Sequence, residues 1–147
     1  MTVAEDSVDD ATVLLLDGVL DSSTYQSLRD EVIATALEEP RAVVVDVNCL
    51  SVPAETALSV FSSAQWHVNV WPSTPILLVC AEAVVVSALQ RTGVARRVPV
   101  HPTVSAALAT LGPCGVKRHR ARAVLPADLS SLRRSRALVE QWLTAWT

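Results

Sequence analysis

The stretch Ala42–Phe61, AVVVDVNCLSVPAETALSVF, decides how the rest of the chain is read. Ala42–Val47 is β-branched and almost continuously apolar, the pattern of a strand covered on both faces. Asn48–Pro53 reads as a loop, and Pro53 or Ala54 as the opening of a helix that runs to about Val70. Glu55 and Thr56 then fall in the first turn of that helix. A helix start carries unpaired N–H groups and a positive partial charge, so a carboxylate or a phosphoryl group is best tolerated there. That placement suits a phosphorylation switch, but a permanent acid already occupies it.

Similar units lie on both sides. Ala11–Val19 reads as a strand with Val13, Leu14, Leu15 and Leu16 at its buried centre. Asp21 or a following serine is placed to cap the next helix, where Tyr25, Leu28, Val32, Ile33, Ala36 and Leu37 recur at helical spacing. Pro40 follows its end, and Arg41–Val47 is the second strand. Downstream, Ile76–Ala81 is a third buried strand and Ala83–Arg91 a short helix ended at Gly93. Arg97–Val100 reads as a short edge strand and Pro102–Leu111 as a last helix. Strands alternating with helices predict an α/β layer architecture with a small, mixed but mostly parallel sheet.

Composition sets the bounds. A chain of 147 residues, half of them hydrophobic, makes one ordinary domain with a tail. It has no apolar run of about 18 residues for a membrane span, and MTVAEDSVDD lacks the pattern of a secretion signal. Cys49, Cys80 and Cys114 have no metal-ligand spacing, and the first two sit among apolar residues as small core side chains would. A cytoplasmic, metal-free protein is expected. Charge divides the chain: residues 1–111 hold five arginines against thirteen acids, and residues 112–147 seven bases against two acids.

Gly112-Pro113-Cys114-Gly115 marks the boundary between a domain over 1–111 and a basic linker over 112–123. The linker's KRHRAR run, Lys117–Arg122, has no interleaved aromatic residues and adjoins an acidic domain. It reads as solvated chain rather than a nucleic-acid contact. Residues 124–147 form a strand/helix extension whose helix, Asp128–Trp146, carries an apolar stripe that must be buried somewhere. Leu132, Leu138, Trp142 and Trp146 are the expected residues of an oligomer interface. Trp66 and Trp71, at the end of the second helix, suit an interface or a core equally.

The central stretch resembles the signature of STAS domains, the family of bacterial anti-sigma factor antagonists. In that pattern a strand ending in Asp leads through a loop with apolar residues to Asp-Ser-Ser/Thr-Gly at a helix start. Here the match begins at Asp46, runs through Asn48 to Leu50, and the motif positions read Ala54, Glu55, Thr56 and Ala57. Gly18-Val19-Leu20-Asp21 is similar to the family's Gly-x-Leu-Asp turn. Thr92-Gly93-Val94, Val98 and Thr103–Leu111 are similar to its closing strand and helix. The resemblance implies a STAS-like fold with helices mainly on one side of the sheet, plus the C-terminal helix.

It also implies a non-enzymatic module that binds an anti-sigma factor serine kinase and so frees a sigma factor. Asp21, Asp46, Asn48, Ala54, Glu55, Thr56 and Ala57 would form the contact and the switch. The first Ser of the family motif is the residue phosphorylated, and Glu55 stands there. A carboxylate supplies about one negative charge where phosphate supplies about 1.5–2. In energetic terms Glu55 is also an ordinary first-turn acid, favoured by the helix dipole. Thr56 keeps a hydroxyl one residue on, either a displaced phosphoacceptor or a side chain bonded to the backbone. Leu125–Asp128 and Arg133–Trp146 are similar to the opening of the anti-sigma kinases' ATPase domain, but the chain holds none of that domain's nucleotide-binding elements.

No catalytic constellation stands out. His67 and His101 lie in no nucleophile context, and the four glycines form no phosphate loop, so no cofactor is expected. Two other classes remain open: a scaffold that dimerises through its C-terminal helix, and a sensor that holds a small ligand near the switch.

Overall fold

Val43, Val44 and Val45 lie fully buried in the middle strand of a five-stranded sheet. The computed structural model of the chain describes residues 1–112 and 123–146, with side chains to Ala145. Strands β1 (Thr2–Val8), β2 (Ala11–Val19), β3 (Val43–Ser51), β4 (Ile76–Val79) and β5 (Val100–His101) lie side by side in chain order. The first pair is antiparallel and the other three are parallel. Helices α1 (Tyr25–Leu37), α2 (Ser59–Val70) and α3 (Ala83–Arg91) make the crossovers, and α4 (Val104–Ala109) follows β5.

Each crossover steps one strand along in the same direction, so right-handed connections put α1, α2 and α3 on one face. Their apolar sides, among them Leu28, Val32, Phe61, Ala64, Val68 and Leu89, form one core with Leu14, Leu16, Val43, Val45, Ile76 and Leu78. The opposite face, Ala11, Val13, Val44, Leu77 and Val79, packs on Ala107 of α4. Six residues of α4 cannot cover that whole face, and Leu15 is left exposed. The helices are thus mainly on one side, as the sequence predicts.

Several boundaries differ. Thr2–Val8, read only as an acidic terminus, is an edge strand. Its side chains are mostly exposed, so main-chain pairing rather than apolar alternation specifies it. Asp9 and Asp10 turn it back with φ of 50° and 65°, both central positions of a two-residue hairpin. The expected loop at Asn48–Pro53 is strand as far as Ser51, because Cys49, Leu50 and Ser51 continue to pair with Asp17, Gly18 and Val19. β4 stops at Val79, so this overhang has a neighbour on one side only. Cys49 is therefore exposed, against the expected core position, whereas Cys80 is buried and burial pushes its thiol pKa up.

The helix expected from Pro53 or Ala54 begins instead as a 3-10 turn, Glu55–Leu58, before α2. The edge strand expected at Arg97–Val100 is confined to Val100–His101, after a 3-10 turn at Val94–Arg96. The last helix covers Val104–Ala109 rather than Pro102–Leu111; Thr103 caps it by accepting from Ala106 N at 3.1 Å.

Gln65 ties α2 to the sheet. Its Oε1 accepts from Ile76 N at 2.9 Å, while its Nε2 donates to Asn69 Oδ1 at 2.8 Å. Gln65→Leu leaves the buried Ile76 N–H unpaired and is expected to cost about 1–3 kcal/mol. Urea unfolding followed by circular dichroism measures it.

Contacts divide the chain into two compact units, Met1–Pro113 and Cys114–Thr147. Cys114 and the KRHRAR run of the expected basic linker lie outside the described residues. In the second unit residues 123–126 form no strand, although a strand/helix extension is expected over 124–147. Helix α5 spans Ser130–Trp146, with Asp128 Oδ1 accepting from Ser131 N at 3.1 Å at its start. Leu138 and Trp142 are half-buried, Leu132 is exposed, and the side chain of Trp146 lies outside the description.

Candidate functional site

The loops at the C-terminal ends of β2 and β3 come together, the edge of a parallel sheet where ligands and partners usually bind. Leu20 N donates to Ser51 O at 2.8 Å, which fixes the turn after β2 against the end of β3. In that turn Asp21 Oδ1 accepts from Ser23 Oγ at 2.6 Å, Ser23 N at 2.8 Å and Thr24 N at 3.2 Å. Thr24 Oγ1 donates to Val19 O at 2.8 Å. Asp21 therefore organises the turn ahead of α1. The helix's own N-cap is Thr24, whose side chain makes no capping bond.

These donors, the Ser23 hydroxyl first and then the Ser23 N–H, hold the Asp21 carboxyl below the ordinary aspartate range. A depressed pKa in the folded state adds stability that is present above the unfolded-state value and lost as pH falls through the folded one. Asp21→Ala should therefore destabilise the protein at neutral pH, and the difference from wild type should shrink on acidification. Parallel urea titrations near neutrality and below the ordinary aspartate pKa measure both effects.

Asp46 and Asn48 brace the β3 overhang. Asp46 Oδ1 accepts from Asn48 N at 3.0 Å and from Asn48 Nδ2 at 2.8 Å. Asn48 Oδ1 in turn accepts from Ala81 N at 2.9 Å, replacing the strand neighbour lost where β4 ends.

Ala54 is extended, and Ala57 N donates to Ala54 O at 3.0 Å, which starts the 3-10 turn. Ala57 packs against the core and Thr56 is exposed, with no hydrogen bond found to its hydroxyl among the described residues. The Glu55 carboxylate is joined by Arg91, from the last turn of α3, in a charge-assisted hydrogen bond. This partner holds Arg91 still more firmly in its charged form. Both side chains are about half exposed, so the pair positions charge more than it stabilises the fold.

Two participants escape the sequence reading. Arg91 lies thirty-six residues from Glu55, and no local pattern links them. Ser59, at the start of α2, has its Oγ 3.2 Å from the Tyr25 hydroxyl, which joins the starts of α1 and α2. The structure thus brings Asp21, the end of β3 and the Ala54–Ala57 turn to one edge, where Glu55 and Arg91 form an acid–base pair. Among the described residues no cluster of His, Cys, Asp or Glu could hold a metal, and no helix is long and apolar enough to cross a membrane. His67 lies on the exposed side of α2, its ring T-shaped to that of Trp66.

The family model for the STAS domain matches residues 3–107. The chain belongs to the STAS family. That match includes every element from β1 to most of α4 and ends ahead of the tail. Solved structures repeat the fold. An anti-sigma factor antagonist from Mycobacterium paratuberculosis is 18% identical, with a TM-score of 0.60 over 75% of this chain and 92% of that one. RsbS from Moorella thermoacetica, in a serine-to-glutamate variant, is 20% identical, with a TM-score of 0.60 over 76% of this chain and 95% of that one. The Bacillus cell fate determinant SpoIIAA in its phosphorylated form is 15% identical, with a TM-score of 0.51 over 74% and 97%. At these identities the likeness is one of fold. No curated protein sequence matches this STAS domain protein.

Proposed function

We propose that this STAS domain is an anti-sigma factor antagonist that docks an anti-sigma factor serine kinase through the edge formed by Asp21 and Ala54–Ala57. Asp46 and Asn48 contribute by holding β3 in place beneath it. The observation that carries this reading is Glu55, an exposed carboxylate at the entry to α2, in the position of the family's phosphorylated serine. A Glu cannot accept phosphate, so binding here is set by a fixed charge rather than by modification.

Such a module needs no cofactor and performs no chemistry. It acts in the cytoplasm on a protein, without touching nucleic acid or membrane. The experiment is a pull-down from native lysate, with wild type, Glu55→Ser and a truncation after Leu111 as baits. Recovery of an anti-sigma factor kinase, in larger amount on Glu55→Ser and unaffected by the truncation, is the expected result. Recovery of no such kinase by either full-length bait overturns the reading.

A further inference from the structure

Helix α5 presents a seam of apolar side chains that remain about half exposed or more. Leu129, Leu132, Val139 and Leu143 are 88%, 65%, 49% and 57% exposed. With Arg136 they recur at alternating spacings of three and four residues, the a and d positions of a heptad. Leu138 and Trp142, expected from sequence to form the interface, lie on the adjacent, half-buried side.

Charge along the seam identifies the occupant. Arg136 sits in the seam at an a position, and Arg133 and Glu140 flank it at e positions. Two copies aligned in parallel would set Arg136 against the partner's Arg136, a like-charge contact in the middle of an apolar seam. Two copies aligned antiparallel set Arg136 beside the partner's Val139. The partner's Glu140 is then within reach of both Arg133 and Arg136, and the two-fold axis repeats the arrangement. We propose that α5 pairs with α5 of a second copy of this chain as an antiparallel two-helix coiled coil. The Leu129–Leu132–Val139–Leu143 seam is buried and Glu140 fixes the orientation. This inference stands independently of any kinase partner.

Sedimentation equilibrium of the full chain over a concentration series tests it. The expected mass rises from one chain to two by about 100 μM. Val139→Asp and Glu140→Arg should each weaken association at least tenfold. An equimolar mixture of Glu140→Arg with Arg133→Glu/Arg136→Glu should restore it, because each cation again faces an anion. Far-UV circular dichroism of each variant confirms that the helices persist. A single-chain mass throughout overturns the proposal. So does a dimer that survives Glu140→Arg, since in a parallel pair Glu140 would lie beside the partner's Ser135. A mixture that fails to associate overturns the antiparallel arrangement.

Discussion

Replacing Phe61 with alanine is expected to lower the free energy of unfolding by about 3–5 kcal/mol. Phe61 is the chain's one phenylalanine and the largest fully buried side chain. It lies where α2 meets the sheet, in the same core as Leu14, Val45, Leu58 and Leu78. Its neighbours come from rigid strands and packed helices, so the cavity cannot easily collapse. A typical domain has about 5–15 kcal/mol in all, so the variant should be marginal at 37 °C. Urea denaturation should show a lower midpoint with an unchanged slope. Val70→Ala, on the same helix but 91% exposed, should leave the midpoint where it is. An unchanged midpoint for Phe61→Ala would mean that α2 does not pack on the sheet through this side chain.

The second large effect concerns the switch and rests on the proposed function. Glu55→Ser is expected to tighten binding to the anti-sigma kinase by about tenfold or more, each tenfold being about 1.4 kcal/mol. In the family mechanism, negative charge and bulk at this position oppose the complex. Glu55 supplies the charge without the extra acceptor oxygens of a phosphate. Arg91 offsets part of that charge in the free protein. Arg91→Ala alone should therefore weaken binding further, and in the Glu55→Ser background it should change little. Titration calorimetry of the four proteins gives the coupling directly. Additive effects would show that Arg91 does not act through Glu55.

What was legible in the sequence followed from burial. The apolar runs at Val43–Val45 and Ile76–Val79 are strands covered on both faces, and the 3.6-residue pattern of α1 is the side that meets them. β1 was hidden because an exposed edge strand is held by its main chain, and only Val3 and Val8 of its side chains pack against the core. The extension of β3 to Ser51 was hidden because pairing to the far end of β2, across an irregular register, leaves no local trace.

The candidate site divides in the same way. Asp21 and the Ala54–Ala57 positions were reached through the family resemblance, whose motifs are runs of neighbouring residues. Arg91 and the Tyr25–Ser59 contact arise only when α1, α2 and α3 are brought together by the sheet. In the tail, periodicity gave the helix, but exposure was needed to separate the open seam from the half-buried side.

The most direct test is a phosphorylation assay with the recovered kinase and ATP, read by intact mass. Wild type should gain no phosphate, and Glu55→Ser should gain one, mapped to the entry of α2. Phosphate on the wild-type chain, mapped to Thr56, would contradict a fixed switch.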